Sequence, residues 1–187
     1  MKTYVALAPG FEIAEATLPI DILRRAGIET VTVSITEDKV VTASNGVPVI
    51  ADALLSQSNL SDGDMLFLPG GMPGSTNLSQ CEPLAVIIRE YAAAGKFLAA
   101  VCAAPMVYGL MGLLEGKKAT CYPGFEDKLL GADFQKKTCV RDGNFITGCG
   151  AGAGFALGHV MVAALAGEKK ADEVLDKMMF QVYPEII

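Results

Sequence analysis

The sequence predicts an α/β protein whose mostly parallel sheet is covered by helices on both faces. Three observations carry that prediction. The strongest strand-like runs are short and almost continuously apolar, which is the habit of strands buried on both sides. Each of them stops at Pro, Gly or a small residue. Between them lie helical patterns of roughly 10 to 15 residues, the alternation that builds parallel sheets through crossover helices.

Residues 3–8 form the first strand, closed by Pro9 and Gly10. A helix is expected over 14–26, where Leu18, Ile22 and Leu23 recur at helical spacing and Gly27 supplies the stop. A β-branched strand follows at 30–35, and residues 40–42 and 47–50 flank Ser44, Asn45 and Gly46 as a hairpin. Residues 65–68 are the next buried strand, ended by Pro69, Gly70 and Gly71. The helix over 83–94 has Pro83 at its start and Gly95 after its end. The strand over 97–101 runs straight into Cys102. Helical periodicity resumes over 103–114, a strand is expected over 118–121, and residues 140–145 turn as a hairpin around Asp142 and Gly143. Two helices, over 154–166 and 171–182, complete the pattern. No linker, repeat or low-complexity tract interrupts it, so one domain over 1–187 is expected.

Composition narrows the function. Of the 187 residues 51% are hydrophobic and 19% charged, enough to bury a core and incompatible with a disordered chain. The net charge of −6 lacks the basic excess that a nucleic-acid partner requires. No apolar run reaches the roughly 18 residues of a membrane helix, so the mean hydropathy of +0.39 reads as a dense interior and no membrane is expected. One His excludes metal sites that need two imidazoles. Five Cys without close paired spacing, and an opening run that reads as a strand and not a leader, imply a reducing, cytoplasmic setting.

Open α/β sheets place their sites at the carboxyl ends of strands, here residues 9–15, 69–74 and 102–105. Cys102 ends a strand, enters a turn of small residues and precedes a helix, the layout of a nucleophile elbow. A helix dipole aimed at the thiol would lower its pKa. The alternative is a small apolar core residue. Gly70 and Gly71 either make a plain turn or point amides inward as an oxyanion hole. Glu12 and Glu15 either complement a helix dipole or place one raised-pKa carboxyl beside the thiol, and their spacing does not choose between them. His159 lies inside an apolar helix and reads as structural. Cys81, Cys121, Cys139 and Cys149 show no metal spacing. The glycine run at 148–154 lacks the Lys-Ser/Thr ending of a phosphate loop.

With these loops in view the chain resembles the ThiJ/PfpI superfamily, in the branch of the parkinsonism-associated deglycase and its bacterial relatives. ALAPGFEIAEAT at 6–17, PIDILRRAGI at 19–28, LPGG at 68–71 and AAVCAAP at 99–105 carry the likeness in the family's order. The resemblance implies a flavodoxin-like three-layer sandwich and a homodimer with the first helix, around 21–25, near the interface. It implies cofactor-free chemistry with Cys102 as nucleophile, Glu15 as the carboxyl bonded to its sulfur, and the amides of Gly70, Gly71 and Ala103 as oxyanion donors. Tyr122 and Cys149 stand where the human branch has a histidine and an arginine, and Asn45 replaces a second arginine. Loss of both cations argues against an anion-binding pocket of that branch's kind. Ala103 replaces the His that follows the nucleophile in protease-type members, which ranks an intracellular cysteine protease low. The expected activity is glyoxalase-like or deglycase-like action on a small carbonyl substrate. The alternatives are an oxidative-stress sensor or redox-regulated chaperone using Cys102, and a chain that keeps the fold with a drifted function.

Overall fold

The continuous apolar runs become the centre of a seven-stranded sheet in a computed structural model that describes residues 1–180. The strands are β1 (Lys2–Leu7), β2 (Glu29–Ser34), β3 (Val40–Thr42), β4 (Pro48–Ile50), β5 (Ala53–Leu54), β6 (Met65–Leu68), β7 (Phe97–Val101), β8 (Lys118–Ala119), β9 (Asp133–Phe134), β10 (Cys139–Asp142) and β11 (Phe145–Gly148). The helices are α1 (Ile13–Arg25), α2 (Gly74–Ser79), α3 (Glu82–Ala93), α4 (Pro105–Leu110), α5 (Gly154–Ala166) and α6 (Glu168–Lys177). The main sheet runs β10-β11-β7-β6-β1-β2-β5 and is parallel except for the β10–β11 hairpin.

Alternation along the central strands divides their side chains between two cores. Tyr4 and Ala6 of β1, Leu66 and Leu68 of β6, and Leu98 and Ala100 of β7 pack with α2, α3 and α4. Val5 and Leu7, Met65 and Phe67, and Ala99 and Val101 pack with α1, α5 and α6. This is why the runs show no polar alternation: neither face meets water. Buried tyrosines bring satisfied polar tips to the first core, Tyr91 Oη donating to Leu60 O at 2.5 Å and Tyr108 Oη to Ala99 O at 2.9 Å.

The structure departs from the sequence pattern in places where side-chain periodicity is a poor guide. The helix expected over 103–114 is only Pro105–Leu110, preceded by a turn at residues 102–104. Residues 118–121 give a two-residue strand that pairs with β9 in a separate small sheet, not in the main one. The short polar α2 and the two-residue β5 carry too little apolar pattern to be seen in advance. The last helix runs from Glu168 to Lys177, starting three residues earlier than expected, and residues 178–180 are turn and not helix; the expected end at Val182 lies outside the described residues.

Candidate active site

On β7 the alternation would send residue 102 toward the α3 and α4 side, beside Leu98 and Ala100. Cys102 breaks the pattern by taking φ of 62°, which no β-strand residue adopts. Such a left-handed, non-glycine position costs of order 1–3 kcal/mol and is found where surrounding structure enforces it. Here the Cys102 N–H donates to Gly148 O at 2.9 Å and its carbonyl accepts from the Tyr122 N–H at 2.8 Å. The side chain therefore packs, half-buried, against the second core and meets Glu15 of α1.

Glu15 is 2% exposed. Its burial follows from α1's geometry: Glu15 heads the buried face that Pro19 and Ile22 continue, while Glu12 caps the helix by accepting the Glu15 N–H at 2.7 Å. The structure thus separates the two carboxylates by role, Glu12 capping and Glu15 facing the thiol. Burial pushes the Glu15 carboxyl up to about 7; the Cys102 thiol opposes that rise, the Glu12 charge adds to it, and the Gly70 amide pulls weakly down. Its Oε2 is buried without a hydrogen-bond partner of good geometry.

Two glycines let the third loop approach. A Cβ on Gly70 would collide with Glu15 Oε2 and lie 2.6 Å from both Cys102 Cβ and Val101 O. Gly71 takes φ of 90°, and a Cβ there would run into the Glu12 and Phe11 backbone. The Glu12 N–H donates to Gly70 O at 2.9 Å and the Gly74 N–H to Gly10 O at 3.2 Å, so the loops after β1 and β6 are tied to each other. The amides of Gly71 and Ala103 face the Cys102 sulfur, whereas that of Gly70 faces the Glu15 carboxyl. The Gly71 and Ala103 amides thus lie at the thiol, and the missing side chain of Gly70 makes room for the thiol and carboxyl together.

The helix-dipole argument for a lowered thiol pKa does not survive. The six-residue α4 begins three positions beyond Cys102, and burial, followed by the charge and hydrogen bond of Glu15, pushes the thiol up to about 12 against the pull of the Gly71 and Ala103 amides. A thiolate at neutral pH therefore requires the carboxyl to carry the proton.

Tyr122 and Cys149 lie beside this centre in a groove of about 670 Å³, together with Thr120, Pro123, Glu126, Phe134, Lys136, Lys137 and Gly150. The groove is tied to the elbow through the Tyr122 N–H bond to Cys102 O. Lys136 and Lys137 give no local sign in the sequence, where two adjacent lysines read as solvated surface; only the β8–β9 pairing brings them to Tyr122. Asn45 is exposed in the β3–β4 hairpin, whose Ser44 N–H donates to Phe11 O at 2.8 Å. His159 sits in α5 with Nε2 2.8 Å from Asp172 Oδ1 of α6, engaged there and not with Cys102.

Residues 1–164 match the DJ-1/PfpI family. The chain belongs to this family. Among DJ-1 relatives, it is 37% identical over 185 residues to protein DJ-1 homolog B of Arabidopsis thaliana, covering 98% of this chain and 42% of that protein, so it spans less than half of the plant relative's length. A deglycase of Pyrococcus abyssi is 30% identical over 150 residues, 79% of this chain and 89% of that one. A DJ-1 superfamily protein of Salmonella typhimurium, solved as a cysteine-to-alanine mutant, superposes with a TM-score of 0.92 at 33% identity over 98% of this chain and 99% of its own. Oxidized DJ-1 of Toxoplasma gondii gives 0.91 at 31% identity, over 95% and 97%. The flavodoxin-like sandwich expected from the resemblance is thus the fold observed. Among the described residues no helix is long and apolar enough to cross a membrane.

Proposed function

We propose that the protein is a cysteine-dependent enzyme acting on reactive dicarbonyls or early glycation adducts, with Cys102 as nucleophile. The observation that carries this reading is the left-handed Cys102, held with its sulfur between the buried Glu15 carboxyl and the Gly71 and Ala103 amides. Kinship with a protein named as a deglycase supports the same class. Two features favour the proton on Glu15 and the charge on sulfur. The buried Glu15 carboxyl is pushed up to about 7, so it holds a proton close to neutral pH, and the two amides stabilise negative charge at the sulfur.

For a 2-ketoaldehyde the thiolate forms a C–S bond to the aldehyde carbon, and the carbonyl oxygen, steadied by the amides, takes the Glu15 proton to give a hemithioacetal. The Glu15 carboxylate then removes the proton from the former aldehyde carbon and returns it at the ketone carbon through an enediol, leaving the thioester of a 2-hydroxy acid. Water cleaves the thioester and restores the thiol. The sum is ketoaldehyde plus water to hydroxy acid, with no external oxidant and no cofactor. Methylglyoxal turnover followed as lactate tests it: loss in Cys102→Ser supports the reading, and equal rates in wild type and variant overturn it.

A second reading, a redox sensor at Cys102, draws on the oxidized state recorded for the Toxoplasma gondii relative. It predicts that mild peroxide adds two oxygens to the intact mass, lost in Cys102→Ala. Unselective oxidation of several cysteines counts against it. In either role we expect a cytoplasmic homodimer joined near α1, which light scattering of the purified protein tests.

A further inference from the structure

The groove beside the elbow is far larger than a three-carbon dicarbonyl needs. Its volume of about 670 Å³ falls inside the roughly 300–1,000 Å³ range of pockets that enclose drug-sized ligands. Tyr122 and Cys149 join it to the elbow, Tyr122 bonded through its backbone to Cys102 and Cys149 directly following Gly148, whose carbonyl accepts the Cys102 N–H. Pro123 and Phe134 supply apolar and aromatic wall, and Lys136 and Lys137 supply two exposed ammonium groups. Neither lysine pairs with a carboxylate among the described residues. The remaining charge, Glu126, is drawn back onto its own loop by accepting the Gly124 N–H at 2.7 Å. Two unpaired cations in a groove that also carries aromatic side chains, on a protein of net charge −6, are complementary to an anion on an apolar stem.

We infer that this groove is the side-chain subsite of the Cys102 centre and selects ketoaldehydes borne on an apolar or aromatic stem ending in a carboxylate, which Lys136 and Lys137 hold. The inference rests on the reading of Cys102 as the nucleophile. It replaces the cations missing at positions 45 and 149 with two lysines from a different segment, so the expectation that the pocket avoids anions is reversed.

The test compares methylglyoxal, phenylglyoxal and 4-carboxyphenylglyoxal as substrates of the wild type and of Lys136→Ala/Lys137→Ala. The wild type should favour 4-carboxyphenylglyoxal over phenylglyoxal in kcat/KM by about fivefold to tenfold, the scale of two solvent-exposed ion pairs. That preference should fall with added salt. The double variant should lose it while its methylglyoxal kcat/KM stays unchanged, and Lys136→Arg/Lys137→Arg should keep it. Equal rates on the two aromatic substrates in the wild type, or a preference that survives removal of both lysines, overturn the subsite. Calorimetry with 4-acetylbenzoate, which is not a dicarbonyl, separates this from the catalytic reading. Binding to the wild type, absent with acetophenone and lost in the double variant, supports the subsite even if no ketoaldehyde turns over. No difference between the two probes overturns it even if methylglyoxal is consumed.

Discussion

Cys102 and Cys139 are both half-buried thiols packed against the same core, and burial pushes each up to about 12. Their surroundings differ in kind. Cys139 lies in regular β10 opposite Gly148, with burial as its main influence, the Val140 amide opposing and the Cys149 thiol adding a little. Cys102 has left strand geometry and faces a buried carboxyl and two amides. Burial makes a thiol inert; a neighbouring acid that can hold the proton makes the same burial useful, because the anion is then stabilised by fixed dipoles in a dry site.

The largest contrast should come from removing each sulfur. Cys102→Ser should lower methylglyoxal kcat/KM by about a thousandfold or more, the scale of losing a nucleophile, while Cys139→Ser leaves it within about twofold. Glu15→Gln comes next. It keeps the shape, and even a hydrogen bond to sulfur, but not the proton shuttle, so kcat should fall by about a hundredfold, within the range of general acid–base catalysis. Gly70→Ala should follow with a smaller loss, because its methyl displaces Glu15 from Cys102, together with a stability loss of about 1–3 kcal/mol from overpacking. Thermal unfolding and steady-state rates of the same preparations read both effects.

The smallest effect is a stability trend with pH. The folded Glu15–Cys102 pair releases its first proton near 7, against 4.5 for an unperturbed glutamate, so between these values the native state holds a proton that the unfolded chain has released. Stability from this group is full below about 4.5 and declines as pH rises to about 7. Glu15→Gln should therefore raise the melting temperature more at pH 8 than at pH 4.5, whereas Cys139→Ser should show no such dependence.

Much of this fold was legible because buried parallel strands advertise themselves. The runs at β1, β6 and β7 are apolar on both faces, and their Pro, Gly and Cys endings mark the loops that converge. Elements held by backbone pairing and loop packing, such as β5, β9 and α2, had no side-chain period to reveal them. Within the site, Cys102 could be found from its place at a strand end, and Glu15 came from the resemblance, since its spacing from Glu12 left the choice open. That Glu15 and not Glu12 faces the thiol depends on where α1 starts and which face it buries, a three-dimensional fact. The separate tasks of Gly70 and Gly71 depend on where the amides point, which one residue of spacing does not encode. Lys136 and Lys137 reach the groove only through the small β8–β9 sheet, so nothing in their own neighbourhood announces them.

The pairing of Cys102 with a proton-holding Glu15 is tested most directly by alkylating the native protein with iodoacetamide between pH 5 and 10 and assigning each modified cysteine by mass spectrometry. The account predicts that Cys102 reacts through a midpoint near neutral pH, well before Cys139, because its proton passes to Glu15 and its charge rests on the Gly71 and Ala103 amides. Reaction of Cys102 only at strongly alkaline pH, alongside Cys139, would contradict it.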